Sequence, residues 1–382
     1  MRIISPFYQT HLQSQLNRAD YLLLTLLVNL LQSIKQVKLE TLATALPLPI
    51  TFNSRRKKVQ RFLSLPQLTL ETIWFPILQS WLKNEFAPQQ VLYVAIDRTK
   101  WGCINLLMIS LIWNRRALPI YWKLLPKQGN SNFESQTAAI TKIIRLFKDY
   151  KVVLLGDREF CSVKLGSWVA EQRAYFCLRL KKNEFVQLEG EIWLQLEQLG
   201  LVPGMQLYLD GVSVTKQKGF GKFNVACKWK RKYSGWTPDE GWFIMTNLPD
   251  LESAILSYKK RFGIEEMFRD FKSGGYKLEA TNVTGERLVV MVLLIAIAYT
   301  TATMQGRKIK LMGIQKYIGR LKEAGRNERR HSSFYIGLYG QTWVNFVEQC
   351  ADVVAELMIL GRNKRKYYQK GLRAMELILS TL

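Results

Sequence analysis

Val91-Leu92-Tyr93-Val94-Ala95-Ile96-Asp97 is apolar for six residues and then reaches an acid. A short run of this kind, with no polar position, suits a strand buried on both faces. Val152-Val153-Leu154-Leu155-Gly156-Asp157 repeats the pattern, and each strand is expected to end at its aspartate. In open α/β sheets the carboxyl ends of the strands are where sites are assembled. Working outward, residues 103–113 and 117–125 read as second and third strands joined at Asn114-Arg115-Arg116. Ser135 to Phe147 reads as an amphipathic helix, 162–172 as another, and 174–180 as a strand. Residues 183–240 interrupt with glycines (190, 200, 204, 211, 219, 221 and 235) and short alternating runs, the texture of a β-rich insertion. Trp242-Phe243-Ile244-Met245-Thr246 returns to a strand.

The element order, three strands, helix, strand, helix, strand, is that of a ribonuclease-H-like α/β core with a mixed five-stranded sheet. The expected domains are a helical DNA-binding segment at 1–88, the core at 89–182, the insertion at 183–240, the rest of the core at 241–285, and a basic helical region at 286–382 that includes Arg326, Arg329 and Arg330.

Asp250 is the expected N-cap of a long helix that Gly274-Gly275 closes. At 100° per residue Tyr258, Arg261, Glu265, Arg269 and Lys272 fall within an arc of about 80°. Ile264, Met267, Phe268 and Phe271 fall on a separate arc of about 100° that faces the core. One carboxylate among cations and a phenol suits a metal ion held beside phosphate oxygens.

The bulk composition agrees. Lys and Arg number 55 against 30 acids, a net charge of +25 on 382 residues. Such a surplus makes a polyanion the natural partner, nucleic acid first among them. The content is 48% hydrophobic and 12% aromatic, which excludes a largely disordered chain. The aromatic, strand-bearing middle also argues against a tail-like ribosomal protein. The five cysteines form no C-x-x-C pair and read as small buried hydrophobes in a reducing compartment. With only His11 and His331, a zinc site is not expected; the metal would be a hard cation on carboxylates. Leu288 to Ala298 is apolar for eleven residues, shorter than a span needs, and reads as a buried core helix. No secretory signal or membrane partner is expected, and the chain is expected in the cytoplasm.

Near the N-terminus, Leu39 to Leu46, a loop with Pro47 and Pro49, and a basic helix from Ser54 to Leu63 resemble a helix-turn-helix. Ser54 is the expected cap, and Arg55, Arg56, Lys58 and Arg61 would face DNA. A solvated charged face on a helical bundle gives the same pattern. In the insertion, Lys216, Lys218, Lys222, Lys228, Lys230, Arg231 and Lys232 put seven cations within 17 residues, suited to tracking phosphates.

These motifs together resemble the IS4-type, Tn5-like family of DDE transposases. Ile96-Asp97-Arg98-Thr99-Lys100-Trp101 looks like the first aspartate motif and Gly156-Asp157-Arg158-Glu159-Phe160 like the second. Tyr258, Arg261, Glu265 and Lys272 match the third, Tyr-(2)-Arg-(3)-Glu-(6)-Lys. The resemblance covers about 91–275. It implies that Asp97, Asp157 and Glu265 carry Mg²⁺ or Mn²⁺, two ions, and that Tyr258, Arg261 and Lys272 hold phosphates, with Arg269 facing the same way. It implies that Trp242 stacks on an extruded base, although an ordinary core tryptophan would read the same. The implied activity is cut-and-paste transposition through a DNA hairpin, in a prokaryotic nucleoid, by a homodimer on double-stranded DNA. A ribonuclease-H-like nuclease or resolvase without strand transfer, and a non-catalytic DNA-binding derivative, are the alternatives.

Overall fold

The computed structural model describes residues 6–126, 129–188, 192–216, 221–231, 238–321 and 331–381. Of the residues read above, Gly190, Lys218, Gly219, Lys232, Gly235, Arg326, Arg329 and Arg330 lie outside the described residues. The chain forms two compact units, Leu78–Arg269 and Met1–Ile77 with Asp270–Leu382. In chain order come α1 (Pro6–Gln15), α2 (Arg18–Ile34), α3 (Leu39–Ala45), α4 (Phe52–Phe62) and α5 (Phe75–Glu85). Then follow β1 (Val91–Trp101), β2 (Ile104–Trp113), β3 (Arg116–Leu124), α6 (Phe133–Leu146), β4 (Lys151–Gly156), α7 (Val163–Glu171) and β5 (Tyr175–Arg179). After these are β6 (Phe185–Gln187), β7 (Leu194–Gln195), β8 (Gln206–Val214), β9 (Gly221–Lys228), β10 (Trp242–Thr246), α8 (Leu251–Lys259) and α9 (Phe262–Phe271). The last helices are α10 (Gly285–Leu311), α11 (Ser333–Gln349), α12 (Ala351–Leu360) and α13 (Arg365–Leu379).

Among the described residues the strands form one ten-stranded sheet, in the order β3-β2-β1-β4-β5-β10-β9-β8-β6-β7. β1 to β3 are antiparallel neighbours, whereas β1–β4 and β4–β5 are parallel. The five strands of the expected core are therefore present in the order β3-β2-β1-β4-β5, but the sheet does not stop there. β5 is not an edge: β10 pairs with it antiparallel, Met245 opposite Leu178, and β9 pairs with β10. The insertion satisfies its backbone by continuing the core sheet instead of forming a separate one. Asn114 and Arg115, at φ 48° and 65°, make the tight β2–β3 turn, the left-handed pair a two-residue hairpin requires.

β1 also differs from expectation. It runs on past Asp97 to Trp101, because β2 keeps pairing with it, Asp97 opposite Met108. Its pairing with β4 does end at Ile96 opposite Gly156.

The single helix expected through Tyr258 to Lys272 is two. Asp250 caps α8 as expected, its side chain accepting from the Ser253 amide. The helix then breaks at Lys260 and Arg261, where Arg261, Gly263 and Ile264 bond three residues back. The break lets Gly263 approach the sheet: a Cβ there would lie 3.2 Å from Ile112 Cδ1 and 3.4 Å from the Ala117 amide nitrogen. Arg116 reaches across to Glu266 at 2.5 Å and fixes α9 there. α9 ends at Phe271, so Lys272 lies beyond it.

In the other unit the apolar segment around Leu288 belongs to α10, which is 27 residues long. By length and composition α10 could cross a membrane, yet 89% of its most apolar window is buried within the protein. The Tyr8 hydroxyl donates to Thr300 Oγ1 at 2.8 Å, so that buried pair of hydroxyls is satisfied.

Candidate active site at the carboxyl edge of the sheet

Sheet register builds the site. Ile96 and Gly156 are opposite each other on parallel strands, so Asp97 and Asp157 come next, side by side, on neighbouring strands. Such strands lie about 4.8 Å apart. Gly156 also pairs with Leu178, so the next residue on β5, Arg179, flanks Asp157 on the other side. The edge thus carries an aspartate, an aspartate and an arginine in a row. Gly156 makes the geometry possible: a Cβ there would meet Leu178 Cδ2 at 2.8 Å and Phe160 Cβ at 2.9 Å.

Both aspartates are oriented by main chain. Asp97 Oδ1 accepts from the Arg98 amide at 2.7 Å, and Asp157 Oδ1 from the Glu159 amide at 2.9 Å. Arg261 supplies the link to α9. Its guanidinium donates to Asp97 Oδ2 at 3.4 Å and pairs with Glu265, four residues on. Arg261 is itself buried, whereas Glu265 is exposed. The Asp97 carboxyl is pushed up to about 7. Burial is the main cause; the Arg98 amide opposes it, the like charge of Asp157 adds to it, Arg261 opposes it, and Glu265 adds to it. The three acids therefore share one electrostatic neighbourhood.

The donor set, three carboxylates with no soft ligand, suits a hard divalent cation. Among the described residues, however, no three His, Cys, Asp or Glu side chains stand ready to hold one ion. The guanidinium of Arg261 engages the Asp97 and Glu265 oxygens that a cation would use.

Beside the acids is a cluster of cations. Arg179 and Arg158 both pair with Glu240, Arg179 at 2.8 Å. Burial lowers the pKa of Arg179, and the like charges of Arg158 and Arg261 lower it further. The buried Nε atoms of Arg158, Arg179 and Arg261, and the Tyr258 hydroxyl, have no hydrogen-bond partner among the described residues. Burial pushes the Tyr258 phenol up, while Arg261 and Arg179 pull it down. Buried donors left over in this way are what an anion would satisfy. Arg179 was missed in the sequence; it ends β5, and only the pairing of Gly156 with Leu178 sets it beside Asp157.

The other candidates are placed as follows. Trp242, half-buried at the start of β10, meets Tyr258 edge-on at 5.2 Å between ring centroids and Phe262 at 5.7 Å. Lys230 lies 5.6 Å from the Trp242 ring. Arg269 is exposed on α9. Lys272, in the other unit, pairs with Glu279 at 2.6 Å. Glu159 is not available as a ligand: Arg98 holds it through two bonds of 2.8 Å, and the Ser131 amide donates to it at 3.1 Å.

On α4 the cap is Thr51, not Ser54, because the helix starts three residues earlier than expected, at Phe52; Thr51 Oγ1 accepts from the Ser54 amide. Arg55 donates to the carbonyls of Ala43, Leu48 and Ile50, and Arg56 pairs with Glu40 at 3.3 Å. Lys58 and Arg61 are exposed.

A model of the transposase DDE domain family matches residues 104–301, just over half of the chain. The match begins beyond Asp97 and includes Asp157 and Glu265. Among solved structures, the piggyBac transposase synaptic complex with hairpin DNA is similar at a TM-score of 0.47 and 11% identity, over 91% of this chain and 78% of that one. No protein of curated function matches in sequence.

Proposed function

We propose that this chain, which belongs to the transposase DDE domain family, is a cut-and-paste DNA transposase of the IS4 type with a ribonuclease-H-like core. The observation that carries the reading is the Ile96–Gly156 register, which sets Asp97 beside Asp157 while Arg261 ties Glu265 to Asp97. These carboxylates would hold Mg²⁺ or Mn²⁺, two ions on this reading; bound divalent ions supply charge neutralisation at phosphorus and acidify an attacking hydroxyl.

The chain's own residues do the rest. Arg158, Arg179, Arg261 and Tyr258 offer buried donors to phosphate oxygens beside the acids. Arg261 must let go of Asp97 and Glu265 for a cation to be held there, and a DNA phosphate is an alternative anion for its guanidinium. DNA binding and assembly of the acidic site are therefore linked through one side chain. Trp242 presents an aromatic face for an extruded base, worth about 1–3 kcal/mol. The substrate is double-stranded DNA, two ends held by a homodimer, in the cytoplasm of a prokaryotic cell.

The test uses DNA carrying the sequences that flank the reading frame, with Mg²⁺ and a supercoiled target. Asp97→Asn, Asp157→Asn and Glu265→Gln should bind ends and fail to cleave. Labelled 3′-hydroxyl ends joined to the target distinguish strand transfer from hydrolysis alone. Cleavage undiminished in the three variants would refute the proposal.

A further inference from the structure

A cavity opens against the loop that follows Asp157. It holds about 740 Å³ and lies wholly within the sheet-bearing unit. Arg158, Glu159, Cys161 and Ser162 form one wall, so the chain leads from Asp157 directly into it. The volume falls in the range of small-ligand sites.

The lining is built from two kinds of group. Phe133 and Phe185 are half-buried rings. Each carries a lysine over its face, Lys164 Nζ 4.1 Å from the Phe133 centroid and Lys216 Nζ 5.9 Å from that of Phe185. Of the charged groups lining the cavity, Glu159 is taken by Arg98, and Arg158 by Glu240. That leaves Lys164, Lys181 and Lys216 against Glu184, a positive surplus. The first turn of α7, capped by Ser162, adds amide groups and its positive end. A duplex is too wide for such a recess. One unpaired nucleotide is not: its base stacks on a ring and its phosphate draws the lysine from that ring.

We propose that this cavity binds one unpaired nucleotide of the DNA strand that crosses Asp157, a second nucleic-acid site separate from Trp242. The choice of DNA over a free nucleotide rests on the function proposed above; the cavity's preference for a ring plus a phosphate does not.

The experiment uses the full chain in EDTA, so that nothing is cleaved. Fluorescence anisotropy compares a blunt duplex with the same duplex bearing a short single-stranded overhang. The overhang should bind about tenfold tighter, the value of one stacked base. Phe185→Ala and Lys164→Ala should reduce it to the blunt-duplex affinity and leave the blunt duplex unchanged, while Phe185→Tyr keeps the advantage. No overhang advantage in the wild type, or equal weakening of both DNAs, overturns the site. Thymidine 5′-monophosphate that erases the advantage at micromolar concentration would reassign it to a free nucleotide. Cleavage plays no part in this readout, so failure of the metal-dependent activity and failure of the cavity remain distinguishable.

Discussion

On α4, Arg55 donates to three backbone carbonyls and Arg56 pairs with Glu40. At the carboxyl edge of the sheet, Arg158, Arg179 and Arg261 keep buried Nε donors without acceptors, and Asp97 is part-buried beside Asp157 and Glu265, with Arg261 only partly offsetting them. Both regions are rich in arginine, yet only the second leaves its charges in conflict. Unsatisfied buried donors and crowded carboxylates destabilise a fold. Where a protein keeps them together, a substrate or ion that resolves them is the economical explanation. The contrast teaches that sequence charge density does not locate a site; the unresolved residue of charge after folding does.

The largest effect that would break this contrast is on chemistry. Asp157→Asn should lower metal-dependent cleavage by about a thousandfold or more, because several kcal/mol of transition-state stabilisation goes with the ion. End binding, measured by gel shift, should stay within a few-fold. Arg56→Ala on α4 should leave the cleavage rate per bound complex unchanged.

The next effect is on stability against pH. The folded pKa of Asp97, about 7, lies above its ordinary 3.8, so the folded chain holds the proton more tightly than the unfolded chain does. Stability from this group is therefore full at low pH and falls as pH rises from about 4 to about 7. The ceiling is about 4 kcal/mol, at roughly 1.4 kcal/mol per unit. Thermal melting in EDTA should fall over that window in the wild type and less steeply in Asp97→Asn. Added Mg²⁺ should raise the wild-type melting temperature at the upper end only. Parallel pH profiles for the two proteins would mean that burial and its neighbours do not raise the Asp97 pKa.

These expectations show what the sequence made legible. The two apolar runs ending in Asp97 and Asp157 gave away the strands and the edge, because a doubly buried strand leaves no room for polar residues. Glu265 was legible as one acid on a polar stripe. The break at Lys260-Arg261 was not, since the helical period continues through it; only the approach of Gly263 to β3 demands it. Arg179 was hidden because β5 is short and its edge position depends on register with Gly156, a long-range fact. The continuation of the sheet through β10 and β9 was hidden for the same reason: Trp242–Thr246 reads as a core strand and the insertion's runs as further strands, but neither reveals its partners.

A smaller effect tests how tightly the edge is built. Gly156→Ala places a Cβ 2.8 Å from Leu178 Cδ2 and 2.9 Å from Phe160 Cβ, two apolar neighbours in a packed core. Overpacking of this kind costs about 1–3 kcal/mol. Denaturant unfolding should show that loss, and cleavage should fall as well because Asp157 is the next residue. A variant with unchanged stability would mean that β4 and β5 can separate at this edge.

The smallest effect separates the arginines of α4 from its other cations. Arg55→Ala removes hydrogen bonds to Ala43, Leu48 and Ile50, which join α4 to α3 and the turn between them. It should lower stability by about 1–2 kcal/mol. Lys58→Ala and Arg61→Ala, on exposed positions, should change stability by less than about 0.5 kcal/mol. If α4 lies on DNA, each of these two should instead reduce the slope of log affinity against log salt by about 1, uniformly across DNA sequences. Arg55→Ala should leave that slope alone, because its guanidinium is already committed to the main chain. A reversed outcome, with Arg55→Ala changing the salt slope and not the stability, would make α4 a second region of unresolved charge and remove the contrast with the sheet edge.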